Sequence, residues 1–159
     1  VTLGQYGVQY IASSRGLDAS GHPASWLRTR LDEPGLDGIL IFNGFSDLTV
    51  EGNSCSHNGE DGIDLYYCVS GTVRDNTCGH NGANGIAVGE HHDGAVTVSG
   101  NTCLSNTEAG IRFDEGSAGT ADNNECAHNT WGIYVDSLAS ATLGTNNLHD
   151  NTVADLYRE

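Results

Sequence analysis

Between Asn53 and Val135 the chain says nearly the same thing four times, and this repetition restricts its fold more than any other feature. The copies begin Asn53-Ser-Cys55-Ser-His57-Asn58, Asn76-Thr-Cys78-Gly-His80-Asn81, Asn101-Thr-Cys103-Leu-Ser105-Asn106 and Asn124-Glu-Cys126-Ala-His128-Asn129. Each then runs into a glycine and an isoleucine, as Gly62-Ile63, Gly85-Ile86, Gly110-Ile111 and Gly132-Ile133. A period of 22 to 25 residues predicts a stacked array of small units, each burying one thin slice of core against its neighbours.

Within each unit three short strands are expected. Gly-Ile-x-Val recurs as Gly38-Ile-Leu-Ile41, Gly62-Ile-Asp-Leu65, Gly85-Ile-Ala-Val88, Gly110-Ile-Arg-Phe113 and Gly132-Ile-Tyr-Val135. This is the period-2 alternation of a half-buried strand. A second strand is read at Leu48-Thr-Val50, Gly71-Thr-Val73, Val96-Thr-Val98, Thr120-Ala121 and Ala141-Thr-Leu143, and a third at the Asn-x-Cys segments. Three strands per coil, joined by Gly and Asn turns, make a β-solenoid whose coils hydrogen-bond to one another in parallel, with six to seven coils in this chain. Residues 1–37 form an irregular first coil and cap, 38–146 the regular coils, and 147–159 a terminal coil whose polar, decayed repeat suits the natural end of the chain. Gly7-Val-Gln-Tyr10 reads as an early copy. Between it and Gly38, Pro23 to Leu31 carries apolar residues at Trp26, Leu27 and Leu31, which predicts a short helix covering the open end of the stack.

The repeated columns are best explained by stacking. Asn53, Asn76, Asn101, Asn124 and Asn146 form one column, and Asn58, Asn81, Asn106, Asn129 and Asn151 a second. Asn tolerates left-handed backbone angles at turns, and its amide bonds to the same amide one coil away. The glycine column marks a close approach or a positive φ. Cys55, Cys78, Cys103 and Cys126 share one inward position and are read as reduced, buried thiols. A row does not make a tetrahedral zinc site, and parallel Cβ vectors do not suit a disulfide. His57, His80 and His128 share another column, near the His91-His92-Asp93 loop. The polar-surface reading is preferred there, with transition-metal binding a weaker alternative, and no residue is assigned as a metal ligand.

Charge narrows the partners. Twenty-one acidic residues stand against six basic ones, for a net charge of −15, and all six basic residues are Arg. Such a chain repels phosphate backbones and anionic membrane surfaces, so nucleic acid is excluded as a partner, and no apolar run is long enough for membrane insertion. Cations, neutral sugars or a basic surface fit better. The chain begins at Val1 without an initiator Met or a signal-peptide pattern, as expected of a processed or excised piece. The composition leaves the oligomeric state open.

Function is sought where the copies disagree. The outward positions of the Gly-Ile-x-Val strands are Asp64, Ala87, Arg112 and Tyr134, continued by Tyr66, Tyr67, Asp114, Glu115 and Asp136. Carboxylates, an Arg and tyrosines along a flat sheet suit an extended sugar chain. Asp61, Asp64 and Tyr66 lie close enough in sequence for acid/base work on one carbon, with Arg112 neutralising a substrate carboxylate. Tyr67, His91, His92, Asp114, Tyr134 and Asp136 are the candidate ligand contacts.

The Asn-x-Cys-x-x-Asn-Gly-x-x-Gly-Ile-x-Val repeat resembles the right-handed parallel β-helix repeats of pectin-lyase-like proteins, and most of all the catalytic module of mannuronan C5-epimerases, which implies a single right-handed parallel β-helix for this chain. Asn58-Gly-Glu-Asp61-Gly62-Ile63-Asp-Leu-Tyr66-Tyr67 is similar to an epimerase rung bearing an Asp-Gly pair. In that family the preceding rung carries Tyr-Gly-Phe-Asp-Pro-His; here Leu40 and Phe42 stand where its acid and histidine would. Of the family's catalytic set only Asp61 carries over by position. The resemblance implies polysaccharide as partner, an extracellular or cell-surface setting, and lyase or epimerase chemistry if the chain is an enzyme. No cofactor is required, though Ca2+ is compatible with the acidic face. The competing reading is a non-catalytic structural or adhesin module.

Overall fold

The computed structural model describes residues 30–31, 37–42, 48–66, 70–89 and 94–159. They form a solenoid of about five turns built from three parallel sheets. The first sheet contains the Gly-Ile-x-Val strands, and the second the Asn-x-Cys strands. The third contains the strands that precede each first-column asparagine. In chain order the strands are β1 (Arg30–Leu31), β2 (Ile39–Phe42), β3 (Leu48–Glu51), β4 (Ser54–Ser56), β5 (Ile63–Tyr66), β6 (Gly71–Arg74), β7 (Thr77–Gly79), β8 (Ile86–Val88) and β9 (Val96–Ser99). They continue as β10 (Thr102–Leu104), β11 (Ala109–Phe113), β12 (Ala118–Asp122), β13 (Glu125–Ala127), β14 (Trp131–Val135), β15 (Ser140–Leu143), β16 (Asn147–His149) and β17 (Ala154–Arg158). Every third strand pairs in parallel, so each coil lies about 4.8 Å above the last.

The all-β expectation holds, and no helix occurs among the described residues. Of the segment read as a short helix, only Arg30–Leu31 is described. Those two residues are a strand paired with Ser54 and Cys55, so helix does not extend to Leu31. Unmet backbone groups on the edge of the cysteine sheet favour one more rung there. The remainder of residues 1–37 apart from Asp37, including the Gly7 copy, lies outside the described residues, and the described residues make about five turns where six to seven coils are expected.

Registration follows the repeat. Cys55, Cys78, Cys103, Cys126 and Leu148 align in one column, and all four cysteines are free and fully buried. Ile39, Ile63, Ile86, Ile111 and Ile133 fill a second inward column. Phe113 is larger than its column neighbours Val88 and Val135. Gly119 makes room for it, since a β-carbon there would stand 2.9 Å from the Phe113 ring. The glycine column is a close-approach device: a β-carbon on Gly62 would stand 2.6 Å from the Gly85 carbonyl oxygen.

Both asparagine ladders form. Asn53 donates from its backbone N–H and its Nδ2 to Asn76 Oδ1, at 2.9 Å each, and Asn76 repeats this to Asn101 Oδ1 at 3.0 and 2.9 Å. The second ladder runs likewise from Asn58 to Asn151. Each amide from the second rung onward also reaches back to a carbonyl of the preceding coil, as Asn76 Nδ2 does to Val50 O at 3.0 Å. The left-handed angle expected of these asparagines belongs to the residue before them: Gly52, Asp75, Gly100 and Asn123 in one ladder, and His57, His80, Ser105, His128 and Asp150 in the other. That kink turns the asparagine side chain inward, where it caps the corner. At the end of the second ladder Asn151 Nδ2 finds the Asp155 carboxylate at 2.8 Å in place of another asparagine.

Candidate functional site

The outward column of the first sheet is Leu40, Asp64, Ala87, Arg112, Tyr134 and Tyr157 in direct register. Although Ala87 points away from the core, it is only 3% exposed. It is the small residue between Asp64 and Arg112 in the column.

On the Asp64 side lies a carboxylate cluster. Asp37, Asp61 and Asp64 each place an oxygen within 4.8 Å of the other two. Two of them belong to a third ladder, at the position just before the column glycine. Asp61 N–H donates to Asp37 Oδ1 at 2.9 Å, Asn84 N–H and Nδ2 donate to Asp61 Oδ1 at 2.6 and 3.0 Å, and Ala109 N–H donates to Asn84 Oδ1 at 3.0 Å. Burial raises all three carboxyls. Asp61 is pushed up to about 7, the Asn84 bonds working against burial and the Asp37 charge with it. Asp64 is pushed up to about 8 by burial and then by Asp61, Asp37 and Asp114. No described residue donates a hydrogen bond to Asp64, so nothing offsets its desolvation. At neutral pH the cluster therefore holds protons and can donate them. Among the described residues it is also the group whose oxygens could hold a cation, and all-oxygen donors suit Ca2+ rather than a transition ion.

On the other side Arg112 is paired with two carboxylates. Its Nε donates to Asp114 at 2.5 Å and its Nη1 to Glu108 at 3.3 Å, and its guanidinium lies 4.9 Å from the Tyr134 ring centroid. Tyr157 stacks on the opposite side of Tyr134, with centroids 5.1 Å apart and planes at 23°. Tyr134 is therefore clamped between Arg112 and Tyr157, leaving its edge and its hydroxyl, which donates to Glu159 at 3.0 Å. Trp131 meets it edge-on at 5.3 Å.

Beside Arg112, where the strands of this sheet end, the surface sinks into a depression of about 260 Å3 lined by Tyr66, Gly89, Arg112, Asp114, Glu115 and Asp136. The structure thus brings together Tyr66, Arg112, Asp114 and Asp136 from the expected set, while Asp61 and Asp64 are not in the lining and feel it only through the charge of Asp114. Tyr134 stands beside them rather than in the lining. Tyr67, His91 and His92 lie outside the described residues. Asp37, Asn84, Glu108, Gly89 and Tyr157 were missed as site residues. A signal existed for two of them, because Asp37-Gly38, Asp61-Gly62 and Asn84-Gly85 repeat an acidic or amide residue before the column glycine.

The fold is a parallel β-solenoid, and its first sheet carries a row of charged and aromatic side chains. A family model described as the right handed beta helix region matches residues 17–157, and the chain belongs to that family. Neither the curated proteins nor the solved structures gave a match. The finer likeness to mannuronan C5-epimerase modules is supported by no such match.

Proposed function

We propose that the outward face of the first sheet binds a polysaccharide whose sugars are neutral rather than uronic. The observation that carries this reading is the depression beside Tyr66 and Arg112, which opens at the ends of parallel strands stacked in register. At about 260 Å3 it falls just below the usual range of small-ligand sites, which starts at roughly 300 Å3, so it suits one residue of a longer chain. Carboxylates facing sugar hydroxyls accept hydrogen bonds, and a protonated Asp64 or Asp61 donates one.

Charge selects against uronans. The Arg112 guanidinium already answers two carboxylates, Asp114 and Glu108, so it has no uncompensated charge for a substrate carboxylate. Glu115 and Asp136 add further negative charge to the lining. Lyase or epimerase chemistry needs a neutralised uronate and a base at the adjacent carbon, and the first requirement is the harder one to meet here. Proton-holding Asp61 and Asp64 still provide the acid half of such chemistry, which makes turnover worth measuring.

Affinity electrophoresis and calorimetry against neutral β-glucan, mannan and xylan, with alginate and pectate in parallel, test the proposal. The expected result is binding to a neutral glycan, weakened about tenfold or more by Tyr66→Ala or Arg112→Ala, as loss of a central contact does. Unsaturated product or C5 inversion from a uronan would replace the binding reading with the enzymatic one. Absence of any glycan binding, or variants that bind as well as the parent, would defeat both.

A further inference from the structure

The histidine column lies on the corner between the cysteine strands and the second asparagine ladder, on a different side from the depression. Its five members have φ of 61° at His57, 57° at His80, 58° at Ser105, 60° at His128 and 56° at Asp150. The corner asks for a residue that tolerates left-handed backbone, and Ser105 and Asp150 show that imidazole is not needed for it. His57 and His80 are distinguished by each other. They occupy adjacent coils, both are exposed, and their rings stack with centroids 5.0 Å apart and planes at 22°.

Their backbones are fixed in this relation. His57 N–H donates to Gly79 O and His80 N–H to Leu104 O, each at 3.0 Å, and the residue after each histidine is locked into the asparagine ladder. Their rings are not committed: among the described residues no hydrogen bond or ion pair holds either one. His149, nearer the chain end, is the opposite case. It is engaged by Asp150 at 2.8 Å and Glu125 at 3.7 Å, and it meets His128 only edge-on at 6.1 Å.

We propose that His57 and His80 form a bidentate site for a borderline divalent ion such as Ni2+, Cu2+ or Zn2+, with water completing the coordination. Imidazole nitrogen selects these ions over Ca2+ and Mg2+, which prefer oxygen. Two donors on a rigid stack need no ordering of the backbone to come together, so the second ligand binds at a high effective concentration. The protein's net charge of −15 raises the local concentration of any cation. Each ring turns about its side-chain bonds to present a nitrogen, and its exposure leaves room for that turn.

The test is calorimetric titration of the metal-free full chain with Ni2+ and Zn2+, with side-chain histidine NMR spectra recorded during the Ni2+ titration. His57→Asn and His80→Asn are the informative variants, because Asn keeps the left-handed angle, and His128→Asn is the control. The expected result is one saturable site, weakened about tenfold or more by either informative variant, unchanged in the control and not displaced by Ca2+. In the wild-type protein Ni2+ should broaden the His57 and His80 ring signals first. The proposal is overturned by absence of saturable binding, by variants that bind like the parent, or by broadening that begins at other histidines. The wild-type spectrum decides the matter even if a variant fails to fold.

Discussion

Asn101 shows how much of this fold rests on single amides. Its Oδ1 accepts from Asn76 N–H at 3.0 Å and Asn76 Nδ2 at 2.9 Å, while its own Nδ2 donates to Val73 O at 2.9 Å and Ser99 O at 3.2 Å. Asn101→Ala strands several of these groups in a dry corner, and a buried unsatisfied group costs ~1–3 kcal/mol. The substitution is expected to destabilise by about 3 kcal/mol or more in urea unfolding. At Asn146, which is only partly buried, water replaces much of what is lost and the cost should be clearly smaller. A loss below about 1 kcal/mol for Asn101→Ala would contradict the ladder account. Asp64 works in the other direction. Its folded pKa, about 8, lies above its ordinary value of 3.8, so between those values the folded state holds a proton that the unfolded state has released. Its contribution to stability is complete at low pH and is lost as pH rises through about 8. Asp61, raised to about 7, titrates with it as a coupled pair. Melting temperature should therefore fall between mildly acidic and alkaline pH, and Asp64→Asn should flatten that fall and raise stability at the alkaline end. Equal pH profiles for the two proteins would remove Asp64 from the account.

At the scale of the strand the cysteine column is the clearest case of a conspicuous motif with a quiet role. Cys55, Cys78, Cys103 and Cys126 are wholly buried. Contacts with neighbouring thiols and burial together push Cys78 and Cys126 well above the usual thiol range, while the same contacts draw Cys103 between them below it, so the inertness expected of the column rests on its complete burial, which keeps reagents out. The fifth cysteine of the sequence, Cys68, lies outside the described residues; in a Cys68→Ser background the native protein should show no fast-reacting thiol, and the four column thiols should appear on unfolding. A column thiol that reacts in the native state would contradict the dry core. The strands, their order and their register could be read from the sequence because period-2 alternation and the 22 to 25 residue repeat specify them directly. The corners were less legible. A ladder asparagine and the left-handed residue before it are neighbours in sequence, and only the backbone shows which of them bends.

For the whole molecule, the face proposed to carry function lies where the copies disagree, and its internal arrangement could not be read from the repeat. Ala87 reads as a gap in the row and is in fact covered. Tyr134 reads as an open platform and is clamped between Arg112 and Tyr157. Both depend on where side chains lean along the solenoid axis, and a repeat pattern defines columns without defining that lean. The carboxylate cluster needed Asp37, whose partner Asp61 stands 24 residues away, a distance that becomes short only once coils stack. With the fold placed in the right-handed β-helix family, the central claim concerns one surface. The most direct measurement is a backbone NMR titration with oligosaccharides of the neutral glycan that binds most tightly. Shifts confined to Tyr66, Gly89, Arg112, Asp114, Glu115 and Asp136 are predicted. Shifts that centre on the asparagine corners or the third sheet, or no shifts with any neutral glycan, would contradict it.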